Sequence, residues 1–172
     1  SFRTQDVGSK TSAYFDGVDD YIETMNASIP SSGDFTVSAW AKLADSIPAN
    51  QYTIFGQGEG SNNVFLQIVK NGSNYDLRIG NNWTIYNIGS SIDMTKWHQY
   101  TLSRTGSGSS DGSLYIDGKY IGSGDIVDYI DTRSGLRIGR LYDISFNNSN
   151  DYNSYFKGSI SDLRVYNKAL GA

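Results

Sequence analysis

The sequence has no cysteine, one histidine, two prolines and two glutamates among its 172 residues. Without cysteine there is no disulfide, no thiol nucleophile and no thiolate metal site. The lone His98 leaves no partner for a second imidazole ligand, and no Gly-x-Ser-x-Gly elbow stands on a strand-to-helix turn to frame a serine triad. Glycoside hydrolysis requires two carboxylates flanking the scissile bond, yet Glu23 and Glu59 lie in separate segments. The other 16 of the 18 acids are aspartates, mostly beside Gly, Asn or Ser, where turn formation accounts for them. No apolar run approaches the roughly 18 residues of a membrane-spanning helix. A formal charge of −4 with 14 scattered basic residues excludes nucleic acid and offers no polybasic patch to an anionic membrane.

What the chain has in quantity is Gly (19) and Tyr (13), the composition of many short strands joined by tight turns. Period-two alternation recurs and helical periodicity does not. In Phe35-Thr-Val-Ser-Ala-Trp-Ala-Lys-Leu43, Phe35, Val37, Ala39, Ala41 and Leu43 share one face, and Thr36, Ser38, Trp40 and Lys42 the other. Further strands are predicted at 52–57, 64–70, 75–79, 83–88, 97–104, 113–122, 135–140 and 156–166. Lys70-Asn-Gly-Ser73 and Ile116-Asp-Gly-Lys119 are hairpin turns of the Asn-Gly and Asp-Gly type. These elements predict an all-β fold, a two-sheet antiparallel β-sandwich. The 172 residues suit one domain. The chain opens Ser1-Phe-Arg-Thr, with no leader segment, and is expected to be a module excised from a larger protein.

The two ends carry matching segments. Ala13-Tyr-Phe-Asp-Gly-Val-Asp-Asp-Tyr-Ile-Glu23 stands near the start, and Phe156-Lys-Gly-Ser-Ile-Ser-Asp-Leu-Arg-Val-Tyr-Asn-Lys-Ala-Leu170 near the end. Between them, in order, come Phe35-Thr-Val-Ser-Ala-Trp-Ala-Lys, Lys96-Trp-His-Gln-Tyr-Thr-Leu-Ser-Arg, Leu114-Tyr-Ile-Asp-Gly-Lys and Leu136-Arg-Ile-Gly-Arg. This series resembles the laminin-G-like group of the concanavalin A-like lectin/glucanase superfamily over essentially the whole chain. The resemblance implies a jelly roll whose first and last strands pair, an extracellular or cell-surface setting, a monomeric module and, often, a bound calcium ion. It also implies a glycan or a protein as ligand. The glucanase branch sets two Glu around an Asp on one strand, a pattern absent here, so the resemblance does not imply hydrolysis.

Two candidate sites follow. Asp16, Asp19 and Asp20 crowd a Gly turn, and Asp162 comes near them if the last strand pairs beside the first. Calcium takes six to eight oxygens at about 2.3–2.6 Å, so Asp16, Asp20 and Asp162 are the expected ligands of a structural Ca2+. Polysaccharide recognition needs aromatic planes for sugar rings and amides or guanidinium groups for hydroxyls. The variable segments 45–95 and 141–155 supply those types, and Trp83, Tyr75, Tyr86, Arg78, Asn82, Tyr52, Tyr142 and Asn147 are the expected glycan contacts. Trp83 leads them, because nothing around it demands a core aromatic. Trp40, Trp97 and His98 are expected to pack within a sheet. A protein-binding adhesion module of the same fold is the alternative function, and a glycoside hydrolase built on a different carboxylate pair stands third.

Overall fold

The computed structural model describes residues 3–7, 10–45, 51–80, 84–106, 111–141 and 154–171. In chain order its strands are β1 (Arg3–Val7), β2 (Lys10–Asp16), β3 (Ile22–Glu23), β4 (Phe35–Leu43), β5 (Gln51–Gln57), β6 (Val64–Asn71) and β7 (Asn74–Ile79). They continue with β8 (Thr84–Gly89), β9 (His98–Arg104), β10 (Gly112–Ile116), β11 (Lys119–Gly124), β12 (Arg137–Ile138) and β13 (Lys157–Tyr166). Two antiparallel sheets result among the described residues. One has the order β1-β2-β13-β4-β9-β10-β11, the other β3-β12-β5-β6-β7-β8. This is the all-β two-sheet sandwich that the alternation predicts, with the concanavalin A-like form that the resemblance implies.

The alternation builds the core directly. Phe35, Val37, Ala39, Ala41 and Leu43 of β4 are buried, and they meet Ile54, Leu66, Ile68, Leu77 and Ile79 from the other sheet in one hydrophobic cluster. Each fully buried aliphatic or aromatic side chain contributes roughly 1.5–3 kcal/mol of transfer free energy. Thr36, Ser38, Trp40 and Lys42 lie on the opposite face of β4, turned away from that core.

The ends do pair. β13 runs antiparallel to β2 from Lys157 opposite Asp16 to Ser161 opposite Ser12. It also pairs β4 on its other side, so the last strand lies inside the sheet. The N-terminal segment divides: β2 belongs to the seven-stranded sheet and β3 to the six-stranded one. The acidic turn between them therefore crosses from one sheet to the other. β1 is an added edge strand that the sequence pattern did not reveal.

The two hairpin turns differ. Ile116 pairs with Lys119 around Asp117 and Gly118, both at positive φ (50° and 75°), the type I′ pattern. In the other, Asn71 pairs with Asn74, so the turn residues are Gly72-Ser73 and not the expected Asn71-Gly72. Only Gly72 has positive φ (63°), as type II′ requires. The register that sets Ile68 opposite Leu77 within the core decides the shift.

Polar groups close the ends of the core. Arg104 is fully buried, its Nε donating to Asp111 Oδ2 at 2.7 Å. His98 lies in β9 with Nδ1 2.7 Å from Asp117 Oδ2 and Nε2 3.1 Å from the Asp93 carbonyl. Asp117 Oδ1 also accepts from the Gln99 amide at 2.8 Å. His98 thus anchors a hairpin turn, as a sheet histidine would. Tyr100 is buried, and its hydroxyl donates to Met94 Sδ at 3.0 Å.

Gly158 is where the closing strand is most constrained. Its φ is 147°, and a Cβ there would come 2.1 Å from the Lys42 carbonyl oxygen and 2.9 Å from Leu43 Cα. Gly158→Ala is expected to destabilise the fold by about 2–4 kcal/mol, measured as a denaturant midpoint; wild-type stability would contradict this. Burial pushes the Tyr52 phenol up, with Tyr75 adding to it, and burial pushes Tyr100 up further, with Asp117 and Tyr75 adding. A phenol whose folded value is raised contributes stability that is complete below the unfolded value near about 10 and is lost as pH climbs through the folded value. The denaturation midpoint should therefore fall as pH rises above about 10. A midpoint flat across that range would contradict the assignment.

Candidate functional site

Gly17, at φ 83°, turns the chain after β2 and gathers three carboxylates. Asp16, Asp19 and Asp20 each offer one oxygen, and the three atoms lie within 4.8 Å of one another. Backbone bonds shape the turn: the Val18 amide donates to Asp16 Oδ1 at 2.8 Å and the Asp16 amide to Asp20 Oδ2 at 3.2 Å. Asp19 is exposed and the other two are half-buried. Like charges this close repel, and a hard cation with oxygen ligands relieves that repulsion. The cluster can hold a metal ion.

Asp162 is not part of it. The register sets Lys157 opposite Asp16, and Asp162 lies five residues farther along β13, about 16 Å at 3.3 Å per residue. Its carboxylate takes a two-point contact from Arg164, at 2.8 and 3.0 Å. Its φ of 51° falls where the pairing of β13 with β4 shifts register, between Ser161 and Arg164. Asp19 stands where Asp162 was expected.

The expected glycan contacts divide in three. Trp83, Asn82, Tyr142 and Asn147 lie outside the described residues. Tyr52, Tyr75 and Tyr86 face inward: Tyr52 is 3% exposed, and Tyr75 and Tyr86 pack against the core. The Tyr86 ring lies so close to Gly122 that a Cβ there would come 2.2 Å from Cε1. Burial, with Tyr120 and Asp125 nearby, pushes the Tyr86 phenol up. The available signal was the alternation of Tyr75 with Leu77 and Ile79, which puts all three on the core face. Arg78 does face outward from β7, but it is buried, with Nη1 donating to Gln51 Oε1 at 2.9 Å. Beside it Gln67 Nε2 donates to Thr53 Oγ1 and Ser154 Oγ, at 3.0 and 2.8 Å. Ser154 thus covers this part of the six-stranded sheet.

The two glutamates converge on one cation. Arg137 Nε is 3.1 Å from Glu23 Oε1, and its Nη2 is 3.9 Å from Glu59 Oε1. The pair encloses a guanidinium where a hydrolase pair would enclose a glycosidic bond. Nearby, the Arg140 guanidinium lies over the rings of Tyr21 and Tyr155, at 4.9 and 5.2 Å.

The outer face of the seven-stranded sheet holds the aromatic surface that sequence reasoning assigned elsewhere. Trp40 sits between Ser161 and Gln99 on the neighbouring strands. Lys42 Nζ lies 5.6 Å over the Trp97 ring. Tyr115 and Tyr120 face each other across β10 and β11 with ring centroids 5.6 Å apart. Tyr14 lies opposite Ser159, and Tyr166 opposite Thr36. Hydroxyl and amide side chains separate these rings. Alternation in β4 already put Trp40 on this face.

No curated protein matches the chain by sequence. Among solved structures, domain 4 of AbnA, a GH43 extracellular arabinanase from Geobacillus stearothermophilus determined with arabinotriose, superposes with a TM-score of 0.66 at 21% identity. That match covers 99% of this chain and 77% of the other. The mouse laminin alpha1 LG4-5 structure gives 0.63 at 13% identity, covering 94% and 44%. The botulinum neurotoxin serotype D binding domain gives 0.62 at 19%, covering 99% and 43%. These likenesses are of fold. With a laminin G family model matched over residues 16–172, the chain belongs to the concanavalin A-like lectin/glucanases superfamily.

Proposed function

We propose that this chain is a non-catalytic carbohydrate-binding module of an extracellular multidomain protein, with a structural calcium ion at its acidic turn. The observation that carries this is the outer face of the seven-stranded sheet, where Tyr14, Trp40, Tyr115 and Tyr166 stand among serine, threonine and glutamine side chains. Aromatic planes pack against the C–H faces of sugar rings while hydroxyls and amides meet the sugar hydroxyls. Binding of this kind needs no catalytic group. The fold's likeness to an arabinanase domain solved with arabinotriose supports the same ligand class.

Asp16, Asp19 and Asp20 fit calcium by donor chemistry, being hard carboxylate oxygens on one tight turn. An ion there would tie the crossing between the two sheets to the end of β2, beside the closing strand. It would act on stability and leave the sheet face unchanged.

Retention on immobilised polysaccharides tests the ligand class. Wild type should be retained on at least one glycan, and Trp40→Ala should weaken that binding by about tenfold, some 1.4 kcal/mol, as an aromatic plane is lost from the sheet face. Absence of retention across a broad glycan panel, with retention on protein ligands instead, would replace this function with adhesion. For the metal, calcium at about 100 times its Kd should add about 2.7 kcal/mol, a rise of roughly 5–10 °C in Tm for a domain of this size. Asp19→Asn with Asp20→Asn should abolish the rise. A Tm indifferent to calcium and chelator would remove the ion from the account.

A further inference from the structure

The outer face of the seven-stranded sheet is not uniform. Between β4, β9, β10 and the end of β13 it sinks into a cleft of about 210 Å³. Thr36, Ser38, Gln99 and Thr101 form its floor, and Tyr115 and Tyr166 stand among its walls. Leu170 and Gly171 close another side. None of the lining residues carries a formal charge.

The walls are held in place without a ligand. Tyr115 is braced edge-on by Tyr120. Tyr166 shares the outer face of β13 with Arg164, two residues before it, whose charge is already matched by the two-point contact with Asp162. Thr36 Oγ1 fastens the C-terminal segment, donating to the Lys168 carbonyl and accepting from the Leu170 amide, both at 2.9 Å. It lies a further 3.1 Å from Ser103 Oγ, so its hydrogen-bonding capacity is used. The floor differs: the side chains of Ser38, Gln99 and Thr101 make no hydrogen bond to the described residues. The cleft therefore offers an amide and two hydroxyls with open valences between pre-set aromatic walls. Pre-set walls lower the ordering cost of binding.

We propose that this cleft is a subsite for one neutral sugar unit of a polysaccharide chain, with Tyr115 and Tyr166 flanking the ring and Ser38, Gln99 and Thr101 meeting its hydroxyls. The proposal rests on the glycan-binding function above and gives it a place and a ligand charge. The volume lies below the roughly 300–1,000 Å³ of pockets for drug-sized ligands, as a single monosaccharide unit requires. The absence of charge in the lining selects the class. An anionic sugar, a sulfate or a phosphate would lose its hydration here with no cation lining the cleft to replace it. A neutral sugar loses only hydroxyl hydration, and the floor restores it.

The test is affinity electrophoresis of the whole chain through neutral polysaccharides (arabinan, xylan, mannan, mixed-linkage β-glucan) and an anionic one (polygalacturonate). Wild type should be retarded by a neutral polymer and not by polygalacturonate. That retardation should be unchanged by raising salt from about 0.05 to 0.5 M, because no charge is screened. Tyr166→Ala and Tyr115→Ala should each weaken it by roughly tenfold or more, with thermal melts showing that each variant folds. Thr101→Tyr, which fills the cleft and leaves both walls in place, should abolish it. If a neutral glycan binds wild type, Tyr166→Ala and Thr101→Tyr alike, the subsite is wrong while the glycan-binding function stands. Salt-sensitive binding to polygalacturonate alone would overturn the neutral assignment. If no polysaccharide retards wild type, the function falls and the subsite with it.

Discussion

The register of β13 between β2 and β4 is the constraint on which the rest depends. A closing strand inside the sheet must satisfy two neighbours at once, and here Gly158 faces Phe15 on one side and Leu43 on the other. Only glycine accepts that backbone, with the Lys42 carbonyl where a Cβ would stand. Because side chains alternate with a period of two, a slip of one residue would turn every β13 side chain to the wrong face. Ile160 would leave the core and Tyr166 would leave the outer surface. The shift in pairing between Ser161 and Arg164 then resets the strand so that Arg164 and Tyr166 return to the outer face.

From that register come the two regions with functional potential. At one end of β13, Lys157 faces Asp16, and the acidic turn leaves the sheet toward β3. At the other, Tyr166 and the segment behind it build two sides of the neutral cleft. The proposed metal and sugar sites thereby fall at opposite ends of one strand. An ion at the turn would bear on stability, and sugar contact would depend on the sheet face. The six-stranded sheet has a different character: its outer side carries Arg78, Gln67 and Thr53 in a buried polar row under Ser154.

Much of this was legible in the sequence because it depends on local alternation. Phe35 to Leu43 declared its buried and outward faces, and Asp117-Gly118 declared its turn. The pairing of the two ends was legible as well, through the likeness of the whole motif series to one family. What was not legible depends on register between distant strands. Asp162 looked adjacent to Asp16 because both lie in paired strands, but which residues face each other is decided by core packing around Phe15, Ile160 and Ala41. Tyr52, Tyr75 and Tyr86 misled for a chemical reason. Tyrosine suits both a core and a sugar surface, and its amphipathic character outweighed the pattern of Tyr75 with Leu77 and Ile79. The outer face was overlooked because Trp40 and Trp97 were expected simply to pack within a sheet.

The proposed ligand is a neutral saccharide held on the outer face of the seven-stranded sheet. Chemical-shift mapping during titration with a neutral oligosaccharide locates that contact without altering the chain. The Gln99 side-chain amide and the Thr101 and Tyr115 resonances should move together and saturate, while the buried Arg78–Gln51 pair stays still. Saturating shifts confined to the face around Arg78 and Ser154, with Gln99 and Thr101 unmoved, would contradict that placement.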